Sequence, residues 1–357
     1  MKSASLVITV TAICLSGFAV ADDSPAGWKL EKSPGAIALT QPNQPDVFQY
    51  LTEVPADSGL SANSACCFHP LRTPSGQVVT DFAPEDHKHH RGVFFAWVEM
   101  HGAADADFWG WGAHAPVKGR RIVNRQLVPH ADKPAFRAVN EWLADETVVL
   151  EETLTASLRR EASANILDLT YSLQPKADVR LARWAFSGFC ARLRKAGDVT
   201  ISNPAGVVTL PNPAHDKPDT NWPDAPWYAA TWKNPDGAAV GLAVVCGASP
   251  FPKTWHNHRD LRMVNPAITG PGEVVLRANE VADFRYRVVA FDGEVPIELL
   301  SALATEGELK LTAETPGKVV DLSSEGKSDW AHWGYVHGVT ILNRKQAVRP
   351  AIGDLVK

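Results

Sequence analysis

Residues Phe68 to Trp97, FHPLRTPSGQVVTDFAPEDHKHHRGVFFAW, gather four histidines (His69, His87, His89, His90), two arginines (Arg72, Arg91) and three acids (Asp81, Glu85, Asp86) within thirty positions. A stretch this rich in imidazole and charge makes a poor core and a good site. His87 and His89 stand two apart. On a strand that spacing puts both rings on one face, with His90 on the other unless the strand breaks there. A second pair, His256 and His258 in TWHNHRD, repeats the spacing and is followed by Arg259 and Asp260.

Two kinds of chemistry suit such pairs. Imidazoles ligate zinc, iron or copper, so His87, His89, His256 and His258 are the ligand set if a divalent metal is bound. Without metal they move protons near neutral pH. In that reading His87, His89 and His69 are the catalytic imidazoles, with Asp86 or Asp260 orienting a ring or acting as base. The fork donors Arg72 and Arg91 hold a carboxylate, an oxyanion or ring hydroxyls. Trp109 and Trp111, two apart among glycines, are placed to stack on a ligand ring. Other chemistries lack their signatures: there is no G-x-S-x-G, no G-x-G-x-x-G after a strand and no P-loop.

The elements that must hold these residues are strands. Val148, Leu150, Glu152, Leu154 and Ala156 alternate with the other face of their segment. So do Leu167, Leu169, Tyr171 and Leu173, and again Phe284, Tyr286, Val288 and Ala290. Period two at regular spacing predicts an all-β protein, a large antiparallel β-sandwich. Proline-broken edge strands are expected over 27–54, a turn at Thr73-Pro74-Ser75-Gly76, a doubly buried strand from Val93 to Met100, and one short helix at Pro296–Ala304. The loop 203–235, with seven prolines and three tryptophans, is too long to be a mere connector.

The first 21 residues read as a signal peptide: Lys2, an apolar run from Leu6 to Val20, and a small-x-small site at Ala19-Val20-Ala21. Cys14 follows Ile13, so it is not a lipoprotein acceptor. The expectation is an exported chain, periplasmic or extracellular, with a β-sandwich over 22–316. Residues 317–357 are either its last strands or the start of an appended module. About 336 mature residues suit one large β-domain. A net charge of −5 with interspersed signs argues against a nucleic-acid partner, and no later run is long and apolar enough for membrane insertion. Cys66, Cys67, Cys190 and Cys246 show no disulfide framework and read as buried thiols.

The strings D-H-x-H-H-R-G with an upstream H-P-L, and W-H-x-x-R-D-x-x-x-x-N-P, resemble those of a family of bacterial secreted proteins often labelled PmoA or methane oxygenase. The resemblance covers residues 40–305 and is weakest at Phe186–Arg192 and over 211–235. In architecture that family is similar to the galactose mutarotase-like supersandwich. The resemblance implies a small-molecule carbohydrate ligand held by His69, Arg72, His87, His89, His90, Arg91, His256 and Asp260. It implies an enzyme working by acid–base proton transfer on a sugar or keto-glycoside, as epimerase, lyase or hydrolase. A non-catalytic sugar-binding protein and a metal-dependent oxidoreductase are the alternatives.

Overall fold

A computed structural model describes residues 27–247, 249 and 251–312. The expected signal peptide and the C-terminal stretch 317–357 lie outside the described residues.

Two antiparallel sheets make the body of the molecule. One has seven strands in the order Lys29–Ser33, Ala36–Gln41, Gln44–Leu51, Cys67–Leu71, Val93–Ala96, Gly188–Arg192 and Met263–Val264. The other has nine, ordered Gly206–Val207, Thr200–Asn203, Trp227–Lys233, Ala239–Cys246, Ala282–Asp292, Ala164–Pro175, Thr147–Glu161, Ala135–Ala144 and Arg120–Pro129. The fold is therefore all-β, as the alternating segments require. The three strands with the clearest alternation are neighbours: Ala164–Pro175 pairs with Ala282–Asp292 on one side and Thr147–Glu161 on the other.

Inward residues of the nine-stranded sheet meet those of the seven-stranded sheet as aromatic pairs. Phe95 stacks on Tyr171 at 4.7 Å and Phe189 on Tyr286 at 4.0 Å, while Phe48, Tyr50 and Phe68 crowd Phe136. Offset and edge contacts of this kind add to the area that the rings bury. The four cysteines among the described residues, Cys66, Cys67, Cys190 and Cys246, are buried free thiols.

Some local expectations shift. Gly76 donates to the Thr73 carbonyl at φ +86°, closing the expected turn. The strand expected from Val93 to Met100 ends at Ala96, and Met100–His101 pairs elsewhere. The helix runs longer than expected, Ile297–Thr312, and lays Leu300 and Leu303 on the outer face of the nine-stranded sheet against Ile166, Trp227 and Phe291. No helix among the described residues is long and apolar enough to cross a membrane.

Three adjacent strands of the smaller sheet, Val93–Ala96, Gly188–Arg192 and Met263–Val264, bring distant loops to one place. The segments next to them hold His87, His89, His90, His256 and His258.

Candidate functional site

The histidine segment is a pair of turns, not a strand. His87 donates its backbone N–H to the Pro84 carbonyl, and His90 donates to the His87 carbonyl. The spacing-based expectation that His87 and His89 share a face while His90 turns away is corrected accordingly. On consecutive turns all three rings converge, with centroids 4.6 to 5.6 Å apart.

Two residues make this conformation possible. Arg91 is fully buried and donates to four carbonyls: Ala65, His89, Trp109 and Phe108, at 2.9 to 3.1 Å, with its guanidinium over Phe94. It is a staple between the histidine turns and the tryptophan loop, and its donors are spent on backbone. The expected ligand-binding role for Arg91 is corrected. Gly92 has φ +53°, and a Cβ there would meet the Phe68 carbonyl oxygen at 2.1 Å, so only glycine fits.

The arginine at the site is Arg192, at the end of its strand and wholly buried. It forks onto Asp86 at 2.7 and 2.9 Å and donates to His90 Nδ1 at 3.0 Å. Asp86 is thus no free base. Burial pushes its carboxyl up, but the Arg192 hydrogen bonds and charge outweigh that and hold it below the usual carboxylate range.

The second histidine group forms around the Pro-rich loop, which contributes His215. Trp222 and Trp255 exchange both backbone hydrogen bonds, Arg259 donates to the Leu210 carbonyl, and Asn212 bridges the Arg259 N–H and the Asp260 carboxylate. Asn265, of the N-P anchor, grips the backbone at Ser187 and Phe189 and so fixes Phe186. Asp260 itself is exposed and bonded to Asn212, not to an imidazole.

A continuous run of ring contacts joins the two groups. His90 meets Trp109 at 5.7 Å, Trp109 meets Phe186 at 5.4 Å, and Phe186 meets His215 and His256 at 5.6 and 5.5 Å. His87 lies within electrostatic reach of both His215 and His258. Trp109 is buried and forms part of the floor, which corrects its expected stacking role. Trp111 is 37% exposed and stands edge-on to Trp184 and Phe186, with His114 beside it.

The hydrogen bonds fix where protons sit. The Ala185 carbonyl can only accept, so the Asn221 atom facing it is the amide nitrogen, and Asn221 Oδ1 faces His256 Nδ1 at 2.9 Å. His256 therefore carries Nδ1–H and its Nε2 is bare. That atom accepts from His215 Nδ1–H at 3.0 Å, which leaves His215 Nε2 bare in turn. His258 is the opposite tautomer: its Nδ1 accepts the Leu261 N–H, so its proton is on Nε2.

All six rings are held neutral. Burial, then His87, Arg91 and Arg192, pushes His89 down to about 3. Burial and His215 push His258 down to about 4. His87, His90, His215 and His256 are lowered as well, burial being the first cause in each.

His69 and Arg72 are not brought to this cluster by any contact among the described residues. His69 is bonded to Thr80 and stacked on Phe82, and Arg72 donates to the Gly76 carbonyl within its own hairpin. Nor do His87, His89, His256 and His258 form a ligand set. His256 uses both ring nitrogens in hydrogen bonds, and no group of three or more His, Cys, Asp or Glu side chains among the described residues is arranged to hold a metal.

Arg192, His215, Phe186 and Trp184 are the site residues that the spacing argument missed. The loop 203–235 had been marked by its length, but nothing singled out His215 within it.

Among curated proteins none matches the chain in sequence. Solved structures similar to it include a galactose mutarotase related enzyme from Lactobacillus acidophilus, 7% identical, covering 75% of this chain and 97% of that one at a TM-score of 0.36. The galactosidase domain of an alpha-galactosidase-sucrose kinase is 9% identical, covering 74% and 39%, at 0.34. A polysaccharide lyase is 8% identical, covering 75% and 33%, at 0.29. The chain spans well under half the length of the last two, and likenesses this small carry no argument about substrate or mechanism. The label PmoA, or methane oxygenase, is not the description that the sequence matches. Residues 40–305, well over half of the chain, match the model of a family of unknown function, and the chain belongs to that family, DUF6807.

Proposed function

We propose that this protein is an exported carbohydrate-active enzyme that works on a sugar or keto-glycoside by acid–base proton transfer. One observation carries the reading: six neutral imidazoles share one site, with the tautomers of His215, His256 and His258 set by hydrogen bonds, floored by Trp109 and Phe186 and edged by the exposed Trp111. Neutral imidazoles take or share protons at neutral pH, and an exposed indole beside them offers a sugar's apolar face a stacking surface.

The residues divide into roles. His87, His89, His215 and His258 are half-buried and face the ligand chemistry, whereas His90 and His256 are buried positioning residues. Arg192 supports the first group through His90 and Asp86. Trp111 and Trp184 form the stacking edge.

The test is a screen of glycosides and their keto derivatives for turnover, run with wild type and with His87→Ala/His89→Ala. Turnover that falls by about 10²-fold or more in the double variant is expected. Binding that persists with no turnover in wild type would instead make this a sugar-binding protein.

A further inference from the structure

We infer that His215 Nε2 is the base that removes a proton from carbon next to a ketone, and that the Nε2–H of His258 hydrogen-bonds the ketone oxygen. The inference rests on the acid–base reading above and narrows its substrate class to a keto sugar rather than an intact glycoside.

The argument starts from the two locked tautomers. A chain of bonds, Asn221 to His256 to His215, leaves a bare nitrogen on His215. The Leu261 backbone N–H leaves a donor on His258. The two rings are near parallel, 15° apart in plane with centroids at 5.4 Å, about the width of one sugar ring. The site thus presents one acceptor and one donor side by side, both uncharged.

That pair fits enolisation. The C–H bond breaks, its proton goes to His215 Nε2, and its electron pair moves into the enolate, whose oxygen takes the charge. His258 keeps its proton and stabilises that oxygen by hydrogen bonding, as a neutral imidazole can. Delivery of a proton from water to the other face inverts the carbon, and the His215 imidazolium then gives its proton back to the hydroxide so formed. Alternatively the enolate expels a β-alkoxy group, which takes the proton from the His215 imidazolium and leaves as an alcohol. No external oxidant or reductant enters either course.

Direct hydrolysis of a glycoside fits less well, because it ordinarily uses two carboxyl groups across the bond. Here Asp86 is committed to Arg192, and Asp216 and Asp260 are exposed.

Two measurements on the full chain test this. Long-range proton–nitrogen spectra of ¹⁵N-histidine-labelled protein, assigned with His215→Ala and His258→Ala, are expected to show Nδ1–H on His215 and His256 and Nε2–H on His258. The reverse tautomer on His215 or His258 overturns the inference without needing a substrate. The second follows deuterium uptake from heavy water into the carbon beside the ketone of methyl 3-keto-glucoside. Uptake with wild type that falls about 10²- to 10⁴-fold in His215→Ala supports it. Asn221→Asp, which keeps an acceptor on His256, is expected to retain more uptake than Asn221→Leu at equal ligand affinity. Uptake undiminished in His215→Ala overturns His215 but keeps the acid–base reading. Turnover of an intact glycoside with no uptake from the ketone overturns the enolisation alone, and turnover of neither sinks both.

Discussion

Glu152 stands on the apolar face of its strand, fully buried, accepting from Asn140 at 2.7 Å and Trp142 at 3.0 Å. Burial raises its carboxyl to about 7 against these two hydrogen bonds. The sign follows from linkage: a folded-state value above the unfolded one means the folded form binds the extra proton. Stability is then full below about pH 4.5 and is lost as pH climbs to about 7, by roughly 3 kcal/mol in all. Glu152→Gln is expected to flatten that slope in urea titrations between pH 5 and 8, even though the amide leaves one donor without an acceptor. An equally steep slope in the variant would assign the effect to another group. The alternation in the sequence put Glu152 on the inward face, yet nothing in it disclosed a carboxyl of raised proton affinity. That depends on burial, which outweighs the hydrogen bonds from Asn140 and Trp142 and which the strand's own residues do not show. The same limit hid Arg192. Arg91 and Arg192 look alike in sequence and are both buried, but one is spent on four carbonyls and the other holds Asp86 and His90.

At the scale of elements, the histidine turns exist because Arg91 and Gly92 hold them. Arg91→Met strands four carbonyls and is expected to cost more than about 3 kcal/mol, read as a lower denaturation midpoint. Gly92→Ala puts a methyl into the Phe68 carbonyl at a left-handed φ, and is expected to cost at least as much. Either variant that matched wild-type stability would mean the turns are held by something else. The strands were legible because period two survives in the sequence wherever one face is buried, as at Leu167, Leu169 and Tyr171. The loops were legible only as places. His87 and His89 could be named from their types, but their turn geometry required knowing that His90 also faces inward. His215 became part of the site through Trp222 and Trp255, whose pairing joins segments more than thirty residues apart.

At the scale of the molecule, the site draws on both sheets. The His87–His90 turns adjoin the seven-stranded sheet and His215 comes from a loop between two strands of the nine-stranded one, whose outer face the helix Ile297–Thr312 partly covers. Leu300→Ala is expected to cost about 2–5 kcal/mol in thermal or urea unfolding while leaving turnover per folded molecule unchanged. A loss of turnover without loss of stability would show that the helix is coupled to the site. The single staple at Arg91 has a further consequence, in time rather than in energy. A guanidinium bonded at once to His89, Trp109 and Phe108 ties the histidine turns to the aromatic floor, so the two move as one piece. A ligand then meets a surface already in its bound shape. Its binding is expected to give a single kinetic phase whose rate rises linearly with concentration, with no plateau from a slow closing step.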